Sequence, residues 1–332
     1  MPGAANFLYR VPVQHPLMTF RGNQMFKVMT ISLVLGCALQ FATARAEVAA
    51  TNSGTVATVS KRLVSFYSQP LPSAGKAIPI RVPAVLSLPA KAAGPVPAVI
   101  ILHGSAGMDS RGPLHGGDLN ARGIATLELD MWGARRLTGG AQGRPPRVHD
   151  TLPDLAGALA YLAKQPGVDG QRVGVLGFSW GGVQAMLAAS APINDELEQA
   201  SGIRPISMAA FYPVCWGYNH VPGYTFKHLA PARLLVLVGE NDQYDDDPRA
   251  CPALISNLPS EDQARAQVLV YPGAEHGFNG LEAAQEYQDP FLHRGQGGVG
   301  RSAPDPAARD ASRQAVVKFF TESFAPTAIS ER

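Results

Sequence analysis

The 332-residue chain is predicted to fold as an α/β protein, with a mostly parallel central sheet and helices on both faces. Three observations carry that expectation. Eight short apolar runs, each bounded by glycine or proline, recur along the chain. They are continuous rather than alternating in polarity, as strands buried on both faces are. Stretches with helical spacing lie between several of them, the pattern of βαβ units.

In chain order the runs span 63–67, 78–88, 96–102, 124–129, 172–177, 207–212, 234–238 and 267–271. The first predicted helix covers 152–164, where Leu155, Leu159 and Leu162 fall on one face. A second covers 182–191 and an amphipathic third closes the chain at 309–324. The segment GQGGVGRSAPDP, 295–306, reads as a long loop between the last predicted strand and the last helix, and loops of that length are functional or disordered. No internal repeat or heptad pattern interrupts the scheme.

The first 46 residues are of a different character. From Met25 a basic Lys27 precedes an apolar run at 28–41, and Ala44, Arg45 and Ala46 form an A-x-A arrangement, the layout of a secretory signal peptide cleaved after Ala46. The apolar run falls short of the about 20 residues a membrane span needs, so no stable span is expected in the mature protein. An uncleaved anchor, a start at Met1 or Met25, and lipoprotein processing at Cys37 stay open. The expected organisation is an extension and signal at 1–46 and one domain at 47–332, placing the protein in the periplasm or outside the cell. Cys215 and Cys251 then remain in an oxidising compartment, either as a bridge or as two buried thiols.

Charge narrows the function. With 28 Lys and Arg against 26 Asp and Glu, and only 16% charged residues, the chain lacks the basic footprint of a nucleic-acid binder. Small or neutral substrates fit this balance. Cysteine and histidine spacing matches no zinc site, and no metal or organic cofactor is implied.

The chemistry centres on VGVLGFSWGGVQAML at 173–187. A bare G-x-S-x-G is weak, since a chain of this composition carries roughly 0.2 matches by chance. Here, however, Ser179 follows a buried run and opens a helical one, the strand–turn–helix context a nucleophile elbow requires. A serine hydroxyl needs a base to take its proton and an acid to orient that base. The run ending at Gly239 is followed by Glu240, Asn241 and Asp242, and the run ending at Gly273 by Ala274, Glu275 and His276. Asp242 and His276 therefore fall in the required order after Ser179. Glu240 is the competing acid, and Asp245, Asp246 and Asp247 read as a solvated acidic loop. For an oxyanion, the backbone N–H of Trp180 is one donor; the other comes from the loop after the run at 96–102, assigned to Ser105 with Ala106 as the competing choice. His103 suits a supporting role.

Taken jointly, GFSWGG at 177–182, Asp130 with Trp132 and Gly133, FYPVC at 211–215, GEND at 239–242 and HGF at 276–278 resemble the dienelactone hydrolase-like branch of the α/β-hydrolases over about 96–320. The resemblance implies the α/β-hydrolase fold and a triad of Ser179, Asp242 and His276. The namesake enzymes carry a cysteine where this chain has Ser179, which points to a carboxylic ester hydrolase, with lactones as a second substrate class. Members that act on anionic lactones bind the carboxylate with arginines; Arg135 and Arg136 could serve, or be solvated loop charges. Secreted relatives place two cysteines similarly, so the resemblance implies a Cys215–Cys251 disulfide. A serine peptidase on the same fold and a non-catalytic scaffold are the rival readings. The oligomeric state is not legible.

Overall fold

In the third strand Val99 and Ile101 point to one side of the sheet while Ala98, Ile100 and Leu102 point to the other, and all five are buried. That double burial recurs across the centre of an eight-stranded sheet. The computed structural model describes residues 58–326 apart from 77 and 91, so the expected leader, Cys37 and the cleavage site at Ala46 lie outside the described residues.

The elements run β1 (Val59–Tyr67), β2 (Arg81–Pro89), β3 (Val96–Leu102), α1 (Arg111–Asn120), β4 (Ala125–Leu129), α2 (Leu152–Leu162), β5 (Val168–Phe178), α3 (Trp180–Ala189), α4 (Ala191–Ser201), β6 (Ser207–Phe211) and β7 (Arg233–Gly239). They continue through α5 (Ala250–Ser256), α6 (Ser260–Gln263), β8 (Ala266–Tyr271), β9 (Gln285–Asp289), α7 (Leu292–Gly295), β10 (Gly298–Ser302) and α8 (Pro306–Ser323). The large sheet has the order β1-β2-β4-β3-β5-β6-β7-β8. Only β2 runs against the others, pairing antiparallel with β1 and β4. All eight expected strands are present, and the parallel ones bring the C-terminal ends of β5, β7 and β8 to one sheet edge. One core packs α2, α3 and α4 on one face; α1 and α8 cover the other.

Three expectations need correction. The run at 63–67 belongs to an edge strand exposed over much of its length, with Leu63 90% accessible and Lys61 and Arg62 beside it. Such charges keep an edge from pairing with another chain. Helix α1 was not anticipated, because RGPLHGGDLN has poor helix propensity. Two of its glycines serve close packing: a Cβ on Gly112 would collide with the Glu128 carboxyl, and one on Gly116 would lie 3.4 Å from the Ile101 side chain. The segment 295–306 is not a structureless loop. It contains β10, which pairs antiparallel with β9 to form a separate hairpin, and Ser302 at its end bridges to His276.

Cys215, just after β6, is bonded to Cys251 in α5, with Cα atoms 5.1 Å apart and a sequence separation of 36. Closing a loop of that length restricts the unfolded chain by about 3–4 kcal/mol. A Cys215→Ser/Cys251→Ser double variant is therefore expected to lose about 3 kcal/mol in urea denaturation. An unchanged midpoint would remove the bridge from the list of stabilising features.

Candidate active site

Ser179 is the single residue between β5 and α3, with φ 50° and ψ −108°, a conformation that non-glycine residues rarely adopt. Glycines make the turn possible. A Cβ on Gly177 would strike the Gly181 carbonyl, and one on Gly181 would strike the Leu102 carbonyl. The turn is pinned from both neighbouring strands: Ser179 N–H donates to the Phe211 carbonyl at 3.0 Å and Gly181 N–H to the His103 carbonyl at 3.2 Å. Its Oγ is thereby raised above the sheet edge in a site where the residue is only 8% accessible.

The structure brings the three expected residues together. His276 Nε2 lies 2.9 Å from Ser179 Oγ, and His276 Nδ1 lies 2.7 Å from Asp242 Oδ2. The other Asp242 oxygen accepts the Tyr244 N–H at 2.9 Å, fixing the carboxylate plane. The competing acid, Glu240, is exposed and accepts instead from Gly273 N–H at 2.8 Å. The imidazole of His276 packs between the rings of Tyr212 and Tyr244, with centroids 4.5 and 4.6 Å away. Tyr212 is itself held from behind: Arg111 Nη1 donates to its hydroxyl at 2.8 Å, and that hydroxyl donates to Asn279 Oδ1 at 2.6 Å.

Of the expected oxyanion donors, Trp180 is the first residue of α3, where a backbone N–H has no carbonyl partner within its own helix. Its indole N–H donates to Thr151 Oγ1 at 2.9 Å, anchoring the side chain. Ser105 lies on the same cleft as Ser179. Its carbonyl accepts from the Trp132 indole at 2.9 Å, which holds the loop in place. His103 is buried and supports that loop, its Nδ1 bonding the Gly104 carbonyl at 2.8 Å and its Nε2 accepting the Met131 N–H at 3.0 Å. Burial lowers its pKa, in keeping with the neutral ring those bonds require.

The cleft beside Ser179 has a volume of about 100 Å³ and is walled by Trp180, Val183, Trp216, Tyr218, Tyr224 and Phe291, among others. Arg135 and Arg136 are not brought to it. Arg135 is turned away into a two-pronged pair with Asp154 at 2.6 and 3.1 Å, because that carboxylate is fully buried and needs a cation; Arg136 is exposed. The arginine in the cleft is Arg144.

A family model described as "Dienelactone hydrolase family" matches residues 138–324, more than half of the chain. The chain belongs to the dienelactone hydrolase family. It is accordingly a hydrolase acting on ester bonds. No curated protein matches the chain in sequence. Among solved structures it is similar to Thermogutta terrifontis esterase 2, at 15% identity and TM-score 0.55, covering 79% of this chain and 97% of that one. It is also similar to dienelactone hydrolase from Anabaena variabilis, at 18% identity and TM-score 0.50, covering 80% and 98%. The dienelactone hydrolase-like promiscuous phosphotriesterase P91 from metagenomic libraries is similar at 21% identity, TM-score 0.50, covering 80% and 98%.

Several residues of this family member's site escaped sequence reasoning. Asp245, read as part of a solvated run, is buried: its carboxylate accepts the N–H groups of Cys215 and Trp216 at 3.0 and 2.7 Å. Burial, with the charge of Asp242 nearby, pushes its pKa up to about 7. The carboxylate and the disulfide together tie the cleft wall at Trp216 to the loop carrying Asp242. The β9–β10 hairpin supplies Asp289 and the turn after it Phe291. Asp289 receives the Tyr244 hydroxyl at 2.9 Å and Arg144 Nη2 at 2.9 Å. No spacing rule could have placed Arg144 and Asp289 together across 145 residues.

Proposed function

We propose that this dienelactone hydrolase family member cleaves carboxylic esters, with lactones as a second class, through an acyl-enzyme on Ser179. The observation that supports it most is the buried, two-bond chain from Ser179 Oγ through His276 to Asp242. His276 Nε2 takes the serine proton as Oγ attacks the carbonyl carbon; Nδ1–H stays bonded to Asp242, which holds the ring in the basic tautomer. The backbone N–H groups of Trp180 and Ser105 receive the developing oxyanion. His276 then returns the proton to the leaving oxygen, and water, deprotonated by the same nitrogen, releases the acid. The substrate is a small molecule, since the cleft is small and largely apolar.

The mature protein, in the same reading, is one domain at 47–332 that works in the periplasm or outside the cell after loss of residues 1–46. A disulfide joining the acid loop to the cleft wall suits an oxidising compartment. Among the described residues no helix is long and apolar enough to cross a membrane.

One experiment addresses both parts. Full-length chain is expressed, and protein recovered from the periplasmic fraction, expected to begin at Glu47, is incubated with a fluorophosphonate probe and with p-nitrophenyl esters of increasing chain length. Labelling at Ser179 and turnover of short esters are expected. Absence of both, or equal labelling of a Ser179→Ala variant, overturns the mechanism; retention of the leader in the cytoplasmic fraction overturns the location.

A further inference from the structure

Arg144 is the one residue lining the cleft that carries a charge at neutral pH, and its side chain is only 5% accessible. Its charge is already paired. Nη1 lies 2.7 Å from Asp289 Oδ2 and donates to Ser105 Oγ at 2.7 Å, while Nη2 donates to Asp289 Oδ1 at 2.9 Å. Asp289, 2% accessible in its side chain, matches the positive charge with its own. It also lies over two aromatic rings: the guanidinium carbon sits 5.4 Å from the Trp180 ring centre and 5.4 Å from that of Phe291. An arginine held in this way presents a paired charge to the cleft instead of a free cation.

His276, which must reach the leaving oxygen, does not line the cleft, whereas Trp180 and Ser105 do. The cleft therefore faces the acyl side of a bound ester. An apolar cavity of about 150 Å³ holds benzene, so about 100 Å³ open at its mouth holds a short chain or one ring. The walls offer rings for stacking in Trp216, Tyr218 and Tyr224.

Resting on the proposed esterase reading, we infer that this site selects esters with an uncharged, compact or aromatic acyl group and rejects acyl groups bearing a carboxylate, and that the Arg144–Asp289 pair sets this specificity. A carboxylate entering the cleft would lose its water, meet an arginine whose charge is spent, and lie near the Asp289 carboxylate.

The test compares p-nitrophenyl benzoate with p-nitrophenyl 4-carboxybenzoate, which differ only by the carboxylate. Wild type is expected to favour the benzoate in kcat/KM by about 100-fold or more, the scale of an unpaired buried charge. In Asp289→Asn, which keeps the shape and an acceptor for Tyr244 but frees the arginine, that preference is expected to shrink by about tenfold. In Arg144→Met, which leaves Asp289 uncompensated, it widens or the charged ester is not cleaved at all. Comparable rates for both esters in wild type overturn the inference, and that comparison needs no variant to fold. An unchanged preference in a folded Asp289→Asn, checked by circular dichroism, overturns the role of the pair. Fluorophosphonate labelling of wild type separates the two readings: labelled protein without discrimination sinks only the specificity rule, and unlabelled protein sinks the esterase reading beneath it.

Discussion

Ser179→Ala is expected to lower kcat for a short p-nitrophenyl ester by about 10⁴- to 10⁶-fold, the range found when a serine hydrolase loses its nucleophile. The prediction rests on where the hydroxyl points. Ser179 Oγ has His276 Nε2 as its hydrogen-bond partner at 2.9 Å, and the backbone around it is fixed by glycines and strand carbonyls that do not depend on the side chain. Alanine inherits the same positive φ, so the strain stored in the turn is unchanged and Tm should move by no more than about 3 °C. KM should change little, since the cleft walls remain. A variant retaining a tenth of wild-type kcat would mean that another group attacks the ester, and the elbow would revert to a structural turn.

Asp242→Asn should be nearly as damaging, with kcat at neutral pH reduced by about 10³- to 10⁴-fold. The shape is preserved, but the amide turns an N–H toward His276 Nδ1 and favours the tautomer whose Nε2 already carries a hydrogen. That nitrogen then donates to Ser179 and no longer takes its proton. Glu240→Gln is the matched control. Glu240 bonds Gly273 N–H away from the imidazole, and its variant should keep activity within about twofold, as surface substitutions away from special features do. Equal losses in the two variants would show that the loop, and not the Asp242 carboxylate, is what the histidine needs.

Much of this arrangement is legible in the sequence because strands buried on both faces leave an unmistakable apolar signature, and because each site residue sits at the end of one. Ser179, Asp242 and His276 follow β5, β7 and β8, so counting residues past a strand end is enough to bring them to one edge. The signal fails where tertiary packing overrides local preference. Helix α1 carries three glycines that resist helix formation, and only its contact with Glu128 and Ile101 explains Gly112 and Gly116. The β9–β10 hairpin fails for a related reason: Gly298 and Gly300 have weak strand propensity, yet Gly300 lies where a Cβ would press on the Leu292 side chain. Arg135 was the natural candidate beside a strand end, but the burial of Asp154 claims it. Long-range ion pairs such as Arg144–Asp289 have no local signature at all.

The hairpin also bears on the order in which the protein becomes an enzyme. Its residues follow His276 in the chain, so they leave the ribosome after the serine, the acid and the base have all been made. A nascent chain that stops short of Asp289 already holds those three groups but has no carboxylate partner for Arg144, no anchor for the Tyr244 hydroxyl and no Phe291 in the cleft wall. A chain ending there also lacks α8, which covers one face of the sheet, so the cleft wall and the core beneath it are completed together, late in synthesis.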